Sequence, residues 1–151
     1  MKYILAVDPG KRNGIALFED VKDGALSINC IMTVDQLIEY VNNDDFDSRL
    51  SAIVVEDYII GPKGNQGSRG EAIQVIGILR AFAAKLRIPF IRQPPEKRLL
   101  AAKWAGEHVR KSHMPDDQSA RLHGIFYLRS NGKYTTALER KNRGGNWSEQ
   151  S

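Results

Sequence analysis

Residues 2–8 (Lys-Tyr-Ile-Leu-Ala-Val-Asp) form a near-continuous apolar run closed by a carboxylate, which predicts a buried strand. Pro9-Gly10 breaks it. Gly14–Glu19 predicts a second strand, Asp23-Gly24 a hairpin turn and Ala25–Met32 a third strand, together an antiparallel meander. Thr33 caps a predicted short helix with Val34, Leu37, Ile38 and Val41 on one face. A polar loop over 42–47 leads to Ala52-Ile-Val-Val-Glu56, a β-branched run that again ends in a carboxylate and predicts a fourth strand. Gly61–Gly70 reads as a mobile loop, with Lys63, Asn65, Gln66 and Arg69 between regularly spaced glycines. Ile73, Ile76, Leu79, Phe82, Ala83 and Leu86 recur at helical spacing and predict a long helix over Glu71–Arg87. Ile88–Arg92 predicts a fifth strand, and Pro94-Pro95 ends it and opens a helix over Glu96–Ala105. Pro115–Arg129 predicts the last helix, with Leu122, Ile125, Phe126 and Leu128 on its apolar side. The residues from Arg140 onward read as a polar tail without order.

The element order β-β-β-α-β-α-β-α-α implies an α/β fold with one five-stranded mixed sheet and helices on both faces. A chain of 151 residues is about one domain, read as residues 1–139 followed by the tail 140–151. A hydrophobic fraction of 42% and a charged fraction of 26% exclude disordered, collagen-like and coiled-coil classes. No apolar run approaches the ~18–20 residues of a bilayer span, so no membrane partner is expected. One cysteine, Cys30, cannot form an internal disulfide, and a reducing, cytoplasmic setting is expected. Charge adds more. Residues 1–61 carry five basic and eleven acidic side chains, and residues 62–151 carry seventeen and seven, so a −6 half joined to a +10 half makes the net +4. That asymmetry predicts a polyanionic partner for the second half.

Asp8 and Glu56 both end apolar strands. In an open α/β sheet, ligands gather at the carboxyl ends of strands, so parallel neighbours would set these two side by side. Adjacent half-buried carboxylates repel; one takes a raised pKa or a cation sits between them. Hard divalent ions, Mg²⁺ with Mn²⁺ as substitute, suit an all-oxygen site. His113-Met-Pro-Asp116-Asp117 opens the last helix and offers further ligands, His113 lying three and four residues from the two aspartates. Each residue alone has a plainer reading: a turn former for Asp8, a strand end for Glu56, a helix-dipole partner for Asp116 and Asp117, a solvated side chain for His113. The joint pattern carries the chemistry. Basic side chains accompany it. Lys63 and Arg69 lie in the glycine loop, Lys97, Arg98 and Lys103 along one helix, and Lys11 and Arg12 after the first carboxylate; all are candidate DNA contacts. Trp104 reads as core rather than as a base-stacking platform. Zinc-ligand pairs and base-reading motifs are absent from the sequence, so recognition should be of nucleic-acid shape.

Residues 4–16 (Ile-Leu-Ala-Val-Asp-Pro-Gly-Lys-Arg-Asn-Gly-Ile-Ala) resemble the opening motif of the RuvC-like Holliday junction resolvases, in the ribonuclease H-like superfamily. Ile53-Val-Val-Glu56 resembles their second acidic strand, Gly67–Arg80 their Gly/Gln-containing helix start, Pro94–Lys97 their short Pro-Lys element and His113-Met-Pro-Asp116 their closing acidic motif. The resemblance spans residues 3–129. It implies a ribonuclease H-like fold, a two-fold homodimer, branched DNA (chiefly four-way junctions) as substrate, and metal-dependent hydrolysis in which water attacks phosphorus and the 3′ oxygen leaves. Asp8, Glu56 and Asp116 then correspond to metal ligands, Asp117 to a fourth or displaced one, and His113 to a catalytic position. The family follows its last aspartate with alanine where this chain has Asp117, so the choice between Asp116 and Asp117 stays open. The same opening also suits YqgF-type RNA-processing nucleases, and a non-catalytic DNA-structure-binding module is the alternative outside the enzymes.

Overall fold

A computed structural model describes residues 1–43, 48–57, 68–110 and 114–150, with side chains described at 1–43, 48–57, 70–110 and 114–143. The elements are β1 (Tyr3–Asp8), β2 (Arg12–Glu19), β3 (Leu26–Thr33), α1 (Val34–Val41), β4 (Leu50–Glu56), α2 (Ser68–Leu86), β5 (Phe90–Gln93), α3 (Lys97–Ala105), α4 (Asp116–Ser130) and α5 (Ala137–Gln150). They make one α/β sheet in the order β3-β2-β1-β4-β5. The β1–β2 and β2–β3 pairs are antiparallel, and the β1–β4 and β4–β5 pairs are parallel.

Strand alternation sorts the core into two layers. Leu5, Val7, Ile15, Leu17, Ile53 and Val55 meet Leu37 and Val41 of α1 and Val75, Ile76, Leu79 and Phe82 of α2 on one face. Ile4, Ala6, Ala16, Phe18 and Val54 meet Ala101 and Ala102 of α3 and Ala120, Leu122, Ile125 and Leu128 of α4 on the other. The helix read from residue 71 thus packs its apolar face against the sheet, leaving Ile73 as its exposed large apolar side chain. Thr33 caps α1 in a reciprocal capping box with Gln36. Among the described residues no helix is long and apolar enough to cross a membrane.

The expected irregular tail is corrected here: Ala137–Gln150 is helical. The local reason is a second capping box, in which the Thr136 amide donates to Glu139 Oε2 (3.1 Å) and the Glu139 amide to Thr136 Oγ1 (3.2 Å). Arg129–Glu139, at 3.2 Å, ties its first turn to α4. The boundary read after residue 139 falls inside this helix.

Candidate active site

On β1 the alternation that turns Ile4 and Ala6 toward α4 also turns Asp8 that way; on β4 it turns Glu56, and on β5, after Ile91, it turns Gln93. Val7 pairs with Val55 and Glu56 with Gln93, so Asp8, Glu56 and Gln93 end three adjacent parallel strands on one face. Helix α4 covers them. Asp116, Ser119 and His123 are spaced i, i+3 and i+7 and share one stripe of that helix. Its first turn lies almost in van der Waals contact with β2 because residue 14 is glycine: a Cβ there would stand 1.9 Å from the Asp116 carbonyl oxygen. Asn29 Nδ2 spans the junction, within 2.9 Å of the carbonyl oxygens of both Ile15 and Asp117.

Glu56 is the best-held carboxylate. Its Oε2 accepts from Ser119 Oγ at 3.0 Å and from Arg98 Nη1 at 3.5 Å, and lies 2.9 Å from His123 Nε2. His123 Nδ1 lies in turn 2.7 Å from Gln93 Oε1. Ser119 and His123 are completely buried. Burial raises the Glu56 pKa, but the hydrogen bond and field of His123, with Arg98 and Ser119, outweigh it, and Glu56 is held below its ordinary value. Asp8 goes the other way. Burial first and the neighbouring Glu56 charge second push it up to about 7, against opposition from Ser119 and Arg98. Asp116 is also raised, by burial, with Arg12 opposing and Glu56 and Asp117 adding to the rise.

The three carboxylates open onto a cleft of about 390 Å³ lined by Asp8, Pro9, Gly10, Lys11, Arg12, Glu56, Arg98 and Asp116. Its floor turn is braced by Asn13, whose Oδ1 accepts from the Gly10 amide (3.0 Å) and whose Nδ2 donates to the Met32 carbonyl (3.2 Å). Lys11 and Arg12 are exposed on its rim, while the Arg98 guanidinium stands among the carboxylates.

Of the residues singled out from sequence, Asp8, Glu56, Asp116, Lys11, Arg12 and Arg98 come together. Asp117 does not line the cleft; its charge, after burial, helps raise the Cys30 thiol on β3. Lys97 lies over the Phe126 ring, 5.3 Å from its centroid, and Lys103 is exposed at the end of α3; neither lines the cleft. Trp104 stacks on Phe126 at 5.3 Å and packs against the core, as read. His113 and Lys63 lie outside the described residues, as does the side chain of Arg69. Sequence reading missed Gln93, Ser119 and His123. The available signal was the Asp116–Ser119–His123 spacing, a polar stripe on the helix face that packs on the sheet.

A hard divalent ion fits the donor chemistry of this cleft: carboxylate oxygens from three elements, and a like-charge pair close enough to raise Asp8. Among the described residues, however, no group of three or more His, Cys, Asp or Glu side chains is arranged to hold a metal ion. The carboxylates are neighbours without closing into a cage, and Arg98 supplies the positive charge between them.

RuvC of Thermus thermophilus, solved in complex with a Holliday junction substrate, superposes on this chain with a TM-score of 0.58. The two are 16% identical, and the match covers 86% of this chain and 96% of that one. A second Thermus thermophilus RuvC structure matches at a TM-score of 0.58 and 17% identity, over 85% of this chain and 96% of that one. The fold is RuvC-like. No protein-family model matches the sequence, and no curated protein matches it. At these identities the likeness establishes the α/β architecture and nothing finer.

Proposed function

We propose that this protein is a RuvC-like, metal-dependent endonuclease that cuts branched DNA, with four-way junctions as its chief substrate. The observation that carries the reading is the convergence of Asp8, Glu56 and Asp116, from two parallel strands and one helix, in a cleft rimmed by Lys11 and Arg12. The RuvC-like architecture, known in a junction-bound form, supports it. Mg²⁺, or Mn²⁺ in its place, would be held by Asp8, Glu56 and Asp116; bound there it supplies activation of the attacking water and stabilisation of charge at phosphorus. Asp116 rather than Asp117 is the ligand in this reading, because it alone of the two lines the cleft. His113 keeps the catalytic role assigned to it from the sequence.

The chain's own cations bind and orient the substrate. Lys11, Arg12 and Arg98 sit where a phosphodiester would approach the carboxylates, and Lys63, Arg69, Lys97 and Lys103 are assigned as further phosphate contacts from the sequence. Resolving a four-way junction symmetrically takes two cuts, so the working form is a two-fold homodimer, acting in the cytoplasm on the DNA held there.

A substrate panel tests the reading: a four-way junction, a flap, duplex DNA and RNA, each with Mg²⁺, Mn²⁺ or EDTA. Paired cuts in the junction, dependent on the metal, are expected. Preferential cutting of RNA would favour a YqgF-type activity, and junction binding with no cleavage under any ion would leave a structure-binding module.

A rim substitution probes the phosphate contacts separately. Arg12→Ala is expected to weaken junction binding severalfold in EDTA and to reduce the slope of log affinity against log salt by about one. Fluorescence anisotropy at several salt concentrations measures both; an unchanged slope would remove Arg12 from the DNA interface.

A further inference from the structure

The geometry points to His123, with Gln93 behind it and Ser119 beside it, as the positioning group that orients Glu56 for a metal ion. The inference rests on the nuclease reading but concerns residues that reading does not use. Oε2 of Glu56 is crowded, with Ser119 Oγ at 3.0 Å, His123 Nε2 at 2.9 Å and Arg98 Nη1 at 3.5 Å. All three of these contacts are to the same oxygen. None of the three uses Oε1, Glu56 lines the cleft, and the carboxylate can rotate only by giving up several bonds in a buried place, where each unmade bond is costly. Glu56 is set to present one oxygen rather than two.

Two anchors keep His123 from turning away. The ring has no exposed surface. Its far nitrogen is 2.7 Å from Gln93 Oε1, and Gln93 is the register partner of Glu56 on the neighbouring strand. The bracket therefore runs from β5 through an α4 side chain back to β4, tying the carboxylate to two elements at once. A buried histidine beside the apolar Ala120, Leu122 and Ile125 of α4 would cost stability if it served only packing, because leucine fills a similar volume with no polar atoms to satisfy. Outer-shell partners of this kind characteristically change metal affinity or activity by about 10- to 100-fold when removed.

The test uses the full chain without DNA. Mn²⁺ binding is measured by calorimetry for the wild type, His123→Leu, His123→Gln and Glu56→Gln, with circular dichroism confirming the fold. His123→Leu is expected to weaken Mn²⁺ binding about 10- to 100-fold, and His123→Gln, which restores a donor, to recover part of it. In junction cleavage the same variant should need correspondingly more Mg²⁺, with junction affinity in EDTA unchanged. A packing role alone would lower Tm and leave the metal affinity intact. A folded His123→Leu protein with wild-type Mn²⁺ affinity overturns the assignment, and so does a Glu56→Gln protein that binds Mn²⁺ undiminished. If His123→Leu does not fold, Gln93→Met and Ser119→Ala decide: weakened Mn²⁺ binding supports the bracket, and wild-type binding in both overturns it. A wild type that binds Mn²⁺ through Glu56 but cuts no junction would remove the resolvase reading and leave this one standing.

Discussion

Asp8→Asn is expected to abolish junction cleavage and, in the absence of metal, to make the protein more stable at pH 8. The two effects have one origin. In the folded chain Asp8 has a pKa of about 7, raised from 3.8 by burial and by Glu56. Between those values the folded state holds a proton that the unfolded state has given up, so stability falls as pH rises through this window. Above about pH 7 the penalty is complete, because the native state then carries Asp8 ionised in a buried place beside the Glu56 charge. Asparagine removes it. A gain of ~1–3 kcal/mol is expected, which is several degrees of Tm at ~2–4 °C per kcal/mol for a chain of this length. At pH 5 the gain shrinks, since wild-type Asp8 is then largely protonated in the fold.

Mg²⁺ should act in the same place with the opposite selectivity. It raises the wild-type Tm at pH 8, by mass action on the folded state, and leaves Asp8→Asn nearly unmoved. Its apparent affinity for the wild type weakens below about pH 7, where the ion must displace the Asp8 proton. Melting curves at pH 5 and 8, with EDTA or Mg²⁺, read all of this, and a gel assay on a four-way junction reads the cleavage. An Asp8→Asn protein that still cuts, or that is no more stable at pH 8 than the wild type, would break the link between burial and chemistry.

The second large effect comes from a residue with no side chain. Gly14→Ala would place a Cβ 1.9 Å from the Asp116 carbonyl oxygen, 2.2 Å from the carbonyl carbon and 2.8 Å from the Asp117 nitrogen. All three are backbone atoms, so no side chain can swing aside. The first turn of α4 must retreat from β2. That breaks the Asn29–Asp117 bridge of 2.9 Å and carries Asp116 out of the cleft. Overpacking of this kind costs ~1–3 kcal/mol, and a catalytic group displaced by ~1 Å can lower the rate about 100-fold. Gly77→Ala, on α2, is the control. Nothing lies within 4 Å of the point where its Cβ would stand, so the change should stabilise the chain slightly. Chemical denaturation and cleavage rates of the two variants should diverge sharply; a Gly14→Ala protein behaving like Gly77→Ala would show that α4 is not held against β2 as described.

The strands were legible because their code is local. Ile4–Val7 and Ile53–Val55 lie in strands covered by helices on both faces, and such strands read as unbroken apolar runs. A carboxylate ending each run is therefore conspicuous, and Asp8 and Glu56 stood out for that reason. The C-terminal helix was legible in principle, since Thr136-Ala-Leu-Glu139 carries the capping-box spacing, but the polar composition beyond it argued more loudly for a tail. His123 was not legible as a site residue. Between Leu122 and Gly124 it reads as one position of an amphipathic helix, and only the pairing of β4 with β5 puts Gln93 and Glu56 on either side of its ring.

Hydropathy along the chain dictated the α/β class, the order of strands and helices, and the two carboxylates at strand ends, because those depend on neighbours within a few residues. Three-dimensional packing settled the rest. The depth at which Gly14 lets α4 sit decides that Asp116 enters the cleft while Asp117 leans toward Cys30, and the parallel register of β4 and β5 decides what grips Glu56. Both arise from contacts between segments dozens of residues apart, where a shift of one position in register turns every side chain to the opposite face.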